Sequence, residues 1–255
     1  MTNRFDLSGK NALITGGSRG LGLSMAHAFA EAGANIVVVS RKQDACDDAA
    51  TAIAAKHGVK TWALSRNVSS WDQCTDLVAE AEAATGGVDI LINNAGLSPL
   101  YPSLTDISEA LYNKVFDVNT KGPFRLSTLL GEKMVTRGSG SIINISSIES
   151  LHPTPGALPY AAAKAGLNVL TQGLAQAFGP TVRVNTILAG PFLTDISKAW
   201  DMDAFNAIAR RSIVMQRGGQ ADEIVGAALY FASDASTYTT AAALRVDGGV
   251  YGATN

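Results

Sequence analysis

Short β-branched runs alternate with longer helical patterns along the chain. The first run, Asn11-Ala-Leu-Ile-Thr15, leads into a glycine turn and an alanine-rich helix, Leu21 to Ala32, which Gly33 stops. Asn35 to Ser40 shows almost no polar alternation, as expected of a strand buried on both faces. The pattern then predicts a helix near Gln43 to His57, a strand near Lys60 to Leu64, a helix from Ser70 to Thr85 capped by Ser70, and a strand from Val88 to Asn93. Two long helices, around Ser108 to Thr136 and Leu158 to Phe178, flank a strand at Ser141 to Ser146. A sixth strand lies near Val182 to Leu188, followed by an irregular, partly helical insertion from Thr194 to Ser212. A helix from Ala221 to Ser233 and a last strand near Leu244 to Val246 complete the reading. Such alternation marks βαβ units, hence an α/β fold with a seven-stranded parallel sheet flanked by helices and ligands at the carboxyl ends of the strands.

Composition narrows the picture. At 255 residues and 47% hydrophobic content, the chain fits one large domain, 1–255, with a substrate-loop insertion near 190–216. A net charge of -2 with scattered basic residues gives no case for nucleic acid. Cys46 and Cys74 form no metal or redox spacing and suggest a reducing compartment. The first ten residues lack a signal-peptide run, and no segment reaches the ~20 apolar residues of a membrane span. A cytoplasmic location is the expectation.

The segment Thr15-Gly-Gly-Ser-Arg-Gly-Leu-Gly22 sits between a strand and a helix. Glycines there let the backbone approach a pyrophosphate, which the helix N-terminus attracts. That makes the domain Rossmann-type, with Gly16, Ser18, Arg19, Gly20, Leu21 and Gly22 as candidate cofactor contacts. A packing turn without a ligand would look similar. The second strand ends at Ser40 with Arg41 after it, where an NAD site normally carries a carboxylate. Arg41 can grip a 2′-phosphate and Arg19 can approach it from the glycine turn, so NADP(H) is the preferred cofactor and NAD(H) the lesser option. The alternative for both arginines is solvated surface charge.

Tyr160 and Lys164 form Y-x-x-x-K on a helix, so the side chains share a face. Tyrosine with a pKa near ~10 is a poor base at neutral pH, and a neighbouring ammonium favours its phenolate. Ser147 stands thirteen residues before Tyr160, at the end of a strand; Ser146, adjacent, points to the opposite side.

The glycine spacing, Y-x-x-x-K and the preceding serine together resemble the short-chain dehydrogenase/reductase family, and the resemblance covers nearly the whole chain. It implies that Ser147 holds the substrate oxygen, that Tyr160 gives or takes its proton, and that Lys164 holds the nicotinamide ribose and tunes Tyr160. Asn119 matches a further catalytic asparagine that supports a water linking Lys164 toward solvent; a local helix kink is the structural reading of the same residue. Asn93-Asn-Ala-Gly96 resembles the family's N-N-A-G motif, with Asn93 bracing the sheet and the backbone of Asn94, Ala95 and Gly96 lining the adenosine ribose. The resemblance also implies a homotetramer, or homodimer, built on the two long helices and the last strand.

Three positions depart from the family. Asn67, before Val68, replaces an aspartate, and its carbonyl oxygen is expected to meet the adenine amino group. Ala189-Gly190-Pro191 replaces Pro-Gly, with Gly190 and Thr194 still aligned, so that Phe192 and Thr194 are expected at the carboxamide. Ala241 occupies a usual glycine. Glu149 and His152 lie near the pocket, as substrate contacts or as solvated surface. Trp200, Met202 and Phe205 form a lid, a packed helix face, or both. The expected activity is hydride transfer between NADP(H) and a small-molecule carbonyl or secondary alcohol. A 3-oxoacyl-thioester reductase and a non-catalytic cofactor sensor are the alternatives.

Overall fold

The computed structural model describes residues 3–194, 197 and 200–250. Seven strands form one wholly parallel sheet: β1 (Asn11–Thr15), β2 (Asn35–Ser40), β3 (Thr61–Ser65), β4 (Ile90–Asn93), β5 (Gly140–Ser147), β6 (Val182–Ala189) and β9 (Ala243–Val246). Their spatial order is β3-β2-β1-β4-β5-β6-β9, which reverses direction between β1 and β4. The helices are α1 (Gly20–Glu31), α2 (Gln43–His57), α3 (Trp71–Thr85), α4 (Glu109–Phe116), α5 (Gly122–Arg137), α6 (Leu158–Phe178), α7 (Met202–Ser212) and α8 (Val225–Ala232). A separate two-stranded parallel pair, β7 (Phe192–Leu193) and β8 (Gly219–Gln220), lies beside the sheet.

Alternate strand residues face two hydrophobic layers. Ala12 and Ile14 of β1, with Ile36 and Val38 of β2, pack on Met25, Phe29, Ile53 and Phe231. Leu13, Val37 and Val39 face the other way, toward Leu77, Leu126, Leu130 and Leu174. Both faces of the central strands are thus covered, which explains their unbroken apolar sequence.

Two expectations are revised. The helix read from Ser108 to Thr136 is broken: α4 ends at Phe116, residues Asp117–Lys121 form a π-helical turn, and α5 resumes at Gly122. The helix read from Ala221 begins as a 3-10 turn, Ala221–Ile224, before α8. None of the described helices is long and apolar enough to cross a membrane.

Candidate active site

The site begins where β1 and β4 part. Thr15 Oγ1 donates to the Ile92 carbonyl at 3.2 Å and accepts from the N–H groups of Asn94 at 3.0 Å and Ala95 at 3.1 Å. Asn94 Nδ2 donates in turn to the carbonyls of Thr15 (2.9 Å) and Gly16 (3.3 Å), lacing the end of β4 to the glycine turn. Gly16 and Gly20 have φ of +67° and +54°, the left-handed region that glycine enters without strain. Gly22 answers a steric demand instead, since a Cβ there would sit 2.2 Å from the Gly16 carbonyl oxygen. Helix α1 starts against this turn with Arg19 as N-cap and no side-chain cap, so its first N–H groups and dipole suit a pyrophosphate. Arg19 and Arg41 are exposed, and neither forms an ion pair among the described residues. Ser65 Oγ fixes the Arg41 carbonyl at 3.2 Å, and Ser40 Oγ contacts Cys46 Sγ at 3.1 Å, so the backbone beneath the guanidinium is held.

Asn67 lies in the loop after β3. Its carbonyl oxygen accepts from Ser69 N–H (3.2 Å) and Ser69 Oγ (2.9 Å). Val68 is buried, and its carbonyl passes so close to Gly122 that a Cβ there would lie 2.2 Å away. Gly190 passes Asp247 with similar intimacy, at 2.5 Å for a Cβ, while Phe192 is buried against Gly219. Thr194 faces the start of α1, 3.6 Å from a Cβ placed at Gly20.

Strand β5 sends its two terminal serines to opposite sides. Ser146 Oγ donates to the Lys164 carbonyl at 3.3 Å. Ser147 Oγ accepts from Glu149 N–H at 3.2 Å, which leaves its proton for an oxygen on the cleft side, and its proximity favours ionisation of the Tyr160 hydroxyl. Helix α6 brings Tyr160 and Lys164 together one turn apart, with Nζ 5.6 Å from the ring centroid and donating to the Ile145 carbonyl at 2.8 Å. Burial overrides the expected mutual tuning. It pushes the Tyr160 hydroxyl up to about 12, against the influence of Ser147, and the Glu149 charge adds to the rise. Burial alone lowers Lys164 to about 7, so this amine can exchange a proton at neutral pH. The protein by itself therefore holds Tyr160 as a proton-donating phenol.

Asn119 sits in the π-turn, fully buried. An extra residue in a helical turn orphans a carbonyl, and here Asn119 Nδ2 takes that of Val115 at 2.9 Å. The same side chain pairs with both the carbonyl (2.8 Å) and the N–H (3.2 Å) of Leu97, next to Gly96. A Cβ on Gly96 would stand 3.2 Å from Asn119 Oδ1 and 3.8 Å from Lys164 Nζ, so the N-N-A-G segment runs past the reactive set. Asn93 Nδ2 bridges Ser127 Oγ and Asn144 Oδ1, both at 2.9 Å, bracing the sheet.

Thr15 and Tyr101 carry roles that the sequence reading missed. The hydroxyl ending β1 directly before the glycines was the available signal for Thr15. Tyr101 Oη donates to the Pro155 carbonyl (2.6 Å) and accepts from Leu158 N–H (2.9 Å), tying two loops together at the start of α6. An apolar cleft beside Tyr160 is lined by Pro99, Tyr101, Leu111, Val115 and Pro159. The Trp200 and Phe205 rings meet tilted at 41° with centroids 5.1 Å apart, Ala209 is the buried residue of α7, and Met202 and Ile208 are exposed. His152 is exposed.

A family model described as enoyl-(acyl carrier protein) reductase matches residues 16–251. The chain belongs to the short-chain dehydrogenase/reductase family. Among relatives, it is 35% identical over 248 residues to gluconate 5-dehydrogenase of Gluconobacter oxydans (strain 621H), covering 96% of each chain. It is 36% identical over 245 residues to a 3-oxoacyl-[acyl-carrier-protein] reductase of Chlamydia muridarum (strain MoPn / Nigg), covering 96% of this chain and 98% of that one. The solved L-sorbose reductase of Gluconobacter frateurii, complexed with NADPH and L-sorbose, superposes with a TM-score of 0.91 at 29% identity over 97% and 98% of the two chains. As a short-chain dehydrogenase/reductase the chain is an oxidoreductase of CH–OH and C=O groups.

Proposed function

We propose that this protein transfers hydride between NADP(H) and a small carbonyl or secondary alcohol, with Tyr160 as the group that gives or takes the substrate's proton. The carrying observation is the meeting of Tyr160, Ser147 and the buried Lys164 beside the cleft. Ser147, oriented by Glu149 N–H, holds the substrate oxygen; Tyr160 delivers the proton to it; Lys164 holds the ribose and, through a water near Asn119, passes protons toward solvent. The cradle fits a dinucleotide: Gly16, Ser18, Arg19, Gly20, Leu21 and Gly22 around the pyrophosphate, Asn67, Val68, Asn94, Ala95 and Gly96 along the adenosine, and Gly190, Phe192 and Thr194 toward the carboxamide. When bound, the nicotinamide supplies or accepts the hydride. Unpaired Arg19 and Arg41, with Ser40 in place of a carboxylate, favour the 2′-phosphate, in line with the NADPH bound by L-sorbose reductase. We further take the chain as one Rossmann-type domain with 190–216 as its substrate loop, cytoplasmic, and assembled as a homotetramer.

Tyr160→Phe keeps the ring and removes the proton. Assayed with NADPH on a carbonyl panel, it is expected to lose about 10²–10⁴-fold in kcat/KM. Unchanged turnover would overturn the assignment. Arg41→Ala tests the cofactor: NADPH affinity is expected to fall at least about tenfold more than NADH affinity, since only the former carries the phosphate. Equal losses in a fluorescence titration would show that Arg41 does not read it.

A further inference from the structure

Glu149 is left unexplained by the proton chemistry. It stands two residues past Ser147, in the 3-10 turn Ile148–Ser150 that leaves β5. Its main-chain N–H orients the Ser147 hydroxyl, so its side chain leaves the backbone beside the place where a substrate oxygen is held. The carboxylate is fixed in position. Oε2 accepts from Thr154 N–H at 2.9 Å and from Thr154 Oγ1 at 3.1 Å, and Oε1 takes the same hydroxyl at 3.3 Å. Thr154 precedes Pro155, whose carbonyl Tyr101 holds, so the loop that supplies the carboxylate's partner is itself tied down. No cation neutralises Glu149 among the described residues. A carboxylate has about four lone-pair sites, so Oε1 keeps acceptor capacity. Its field reaches Tyr160, whose hydroxyl it helps to push up.

The loop stretches at the ends of β4 and β5 carry the same sign. From Asn94 to Ile107 the charged residue is Asp106; from Ser147 to Tyr160 they are Glu149 and, when protonated, His152. Across the expected substrate loop, 190–216, the sequence holds Asp195, Asp201 and Asp203 against Lys198, Arg210 and Arg211. The two stretches at the ends of β4 and β5 supply no arginine or lysine to pair with a substrate carboxylate or phosphate. An anchored carboxylate accepts strong charge-assisted hydrogen bonds from hydroxyl groups and repels anions.

We propose that the Glu149 carboxylate is the substrate-recognition group of this site, selecting an uncharged, hydroxyl-bearing ketone or its alcohol over carboxylate-bearing substrates. The proposal rests on the reading of Ser147 and Tyr160 as the groups that hold and protonate the substrate oxygen. It places the substrate nearer to L-sorbose than to a sugar acid, although both kinds appear among the chain's relatives.

The test compares NADPH-dependent reduction of L-sorbose and 5-keto-D-gluconate by the full-length wild type, Glu149→Gln and Glu149→Asp. Binding of D-glucitol and D-gluconate to each enzyme–NADP⁺ complex is measured beside it by calorimetry. The wild type is expected to favour the uncharged member of each pair by about tenfold or more. Glu149→Gln, which keeps acceptor contacts to Thr154 and loses the charge, should collapse that ratio at least about tenfold, mainly by lowering KM for the keto acid. Glu149→Asp should retain the preference. Ratios equal in wild type and Glu149→Gln, a wild-type preference for the anion, or failure of the complex to bind D-glucitol would each overturn the proposal. Tyr160→Phe separates the two readings. Normal turnover in that variant defeats the proton assignment, while the binding ratios still decide Glu149.

Discussion

At the scale of single residues, Ala241 records a backbone constraint that its side chain does not meet. Its φ is +58°, and its N–H is held by the Val184 carbonyl at 2.8 Å, so the chain cannot relax there. A Cβ in the left-handed region costs roughly 1–2 kcal/mol, part of which glycine returns as extra entropy in the unfolded chain. Ala241→Gly is therefore expected to stabilise the protein by about 1 kcal/mol, raising Tm by roughly 2–4 °C. A thermal melt that shows no rise, or a fall, would mean the strain is absorbed elsewhere. The sequence exposed this position because alanine stood where the family resemblance called for glycine. It exposed Tyr160, Lys164 and Ser147 equally well, since one helical turn and a fixed separation are written in the spacing. It did not expose their proton affinities. Spacing places an ammonium near a phenol, but burial sets which effect wins, and burial is known only once the sheet closes over Lys164.

At the scale of elements, the strands were legible because both faces of β1, β2 and β4 are covered, so their sequences run apolar without interruption. Helices α2 and α6 were read within their observed bounds for the complementary reason: stop and start residues, Gly58 and Pro159, mark their ends. Of the break between α4 and α5, the sequence offered only a local kink at Asn119, not its π-helical form. Residues Asp117–Lys121 have ordinary helical character, and what selects a π-turn there is tertiary: Asn119 reaches both Val115 and Leu97. Strands β7 and β8, at two residues each, are too short to carry any period. The π-turn makes its own prediction. Asn119→Ala removes the side-chain partner of the buried Val115 carbonyl and of the half-buried Leu97 N–H and carbonyl, and a buried group left unpaired costs about 1–3 kcal/mol. Allowing for local relaxation and water entry, a loss of about 2–3 kcal/mol is expected, read as a lower urea midpoint with an unchanged slope. A midpoint like the wild type would show that the turn persists without its asparagine.

At the scale of the whole molecule, the surface is unfinished in two places. Strand β9 closes the sheet with an open edge on which Leu244 is exposed, and Tyr238 projects fully into solvent. Elsewhere, Leu104, Tyr112 and Leu158 line an apolar groove between the start of α4 and α6, and Val169 stands 69% exposed farther along α6. An exposed edge strand and an apolar helix face are features that proteins cover. Two distinct self-complementary patches on one chain generate a closed assembly of four with twofold axes through each. The proposed homotetramer would use this pair of surfaces, and it predicts that the interfaces separate. Val169→Asp puts a charge in the centre of the helical face while leaving β9 untouched. Light scattering coupled to size exclusion should give four chain masses for the wild type and two for the variant, with the thermal melt confirming that the variant remains folded. A wild type that runs as a monomer would remove the need for either patch to be covered by a second copy. A variant that stays tetrameric would place Val169 outside the contact and return the helical groove to solvent.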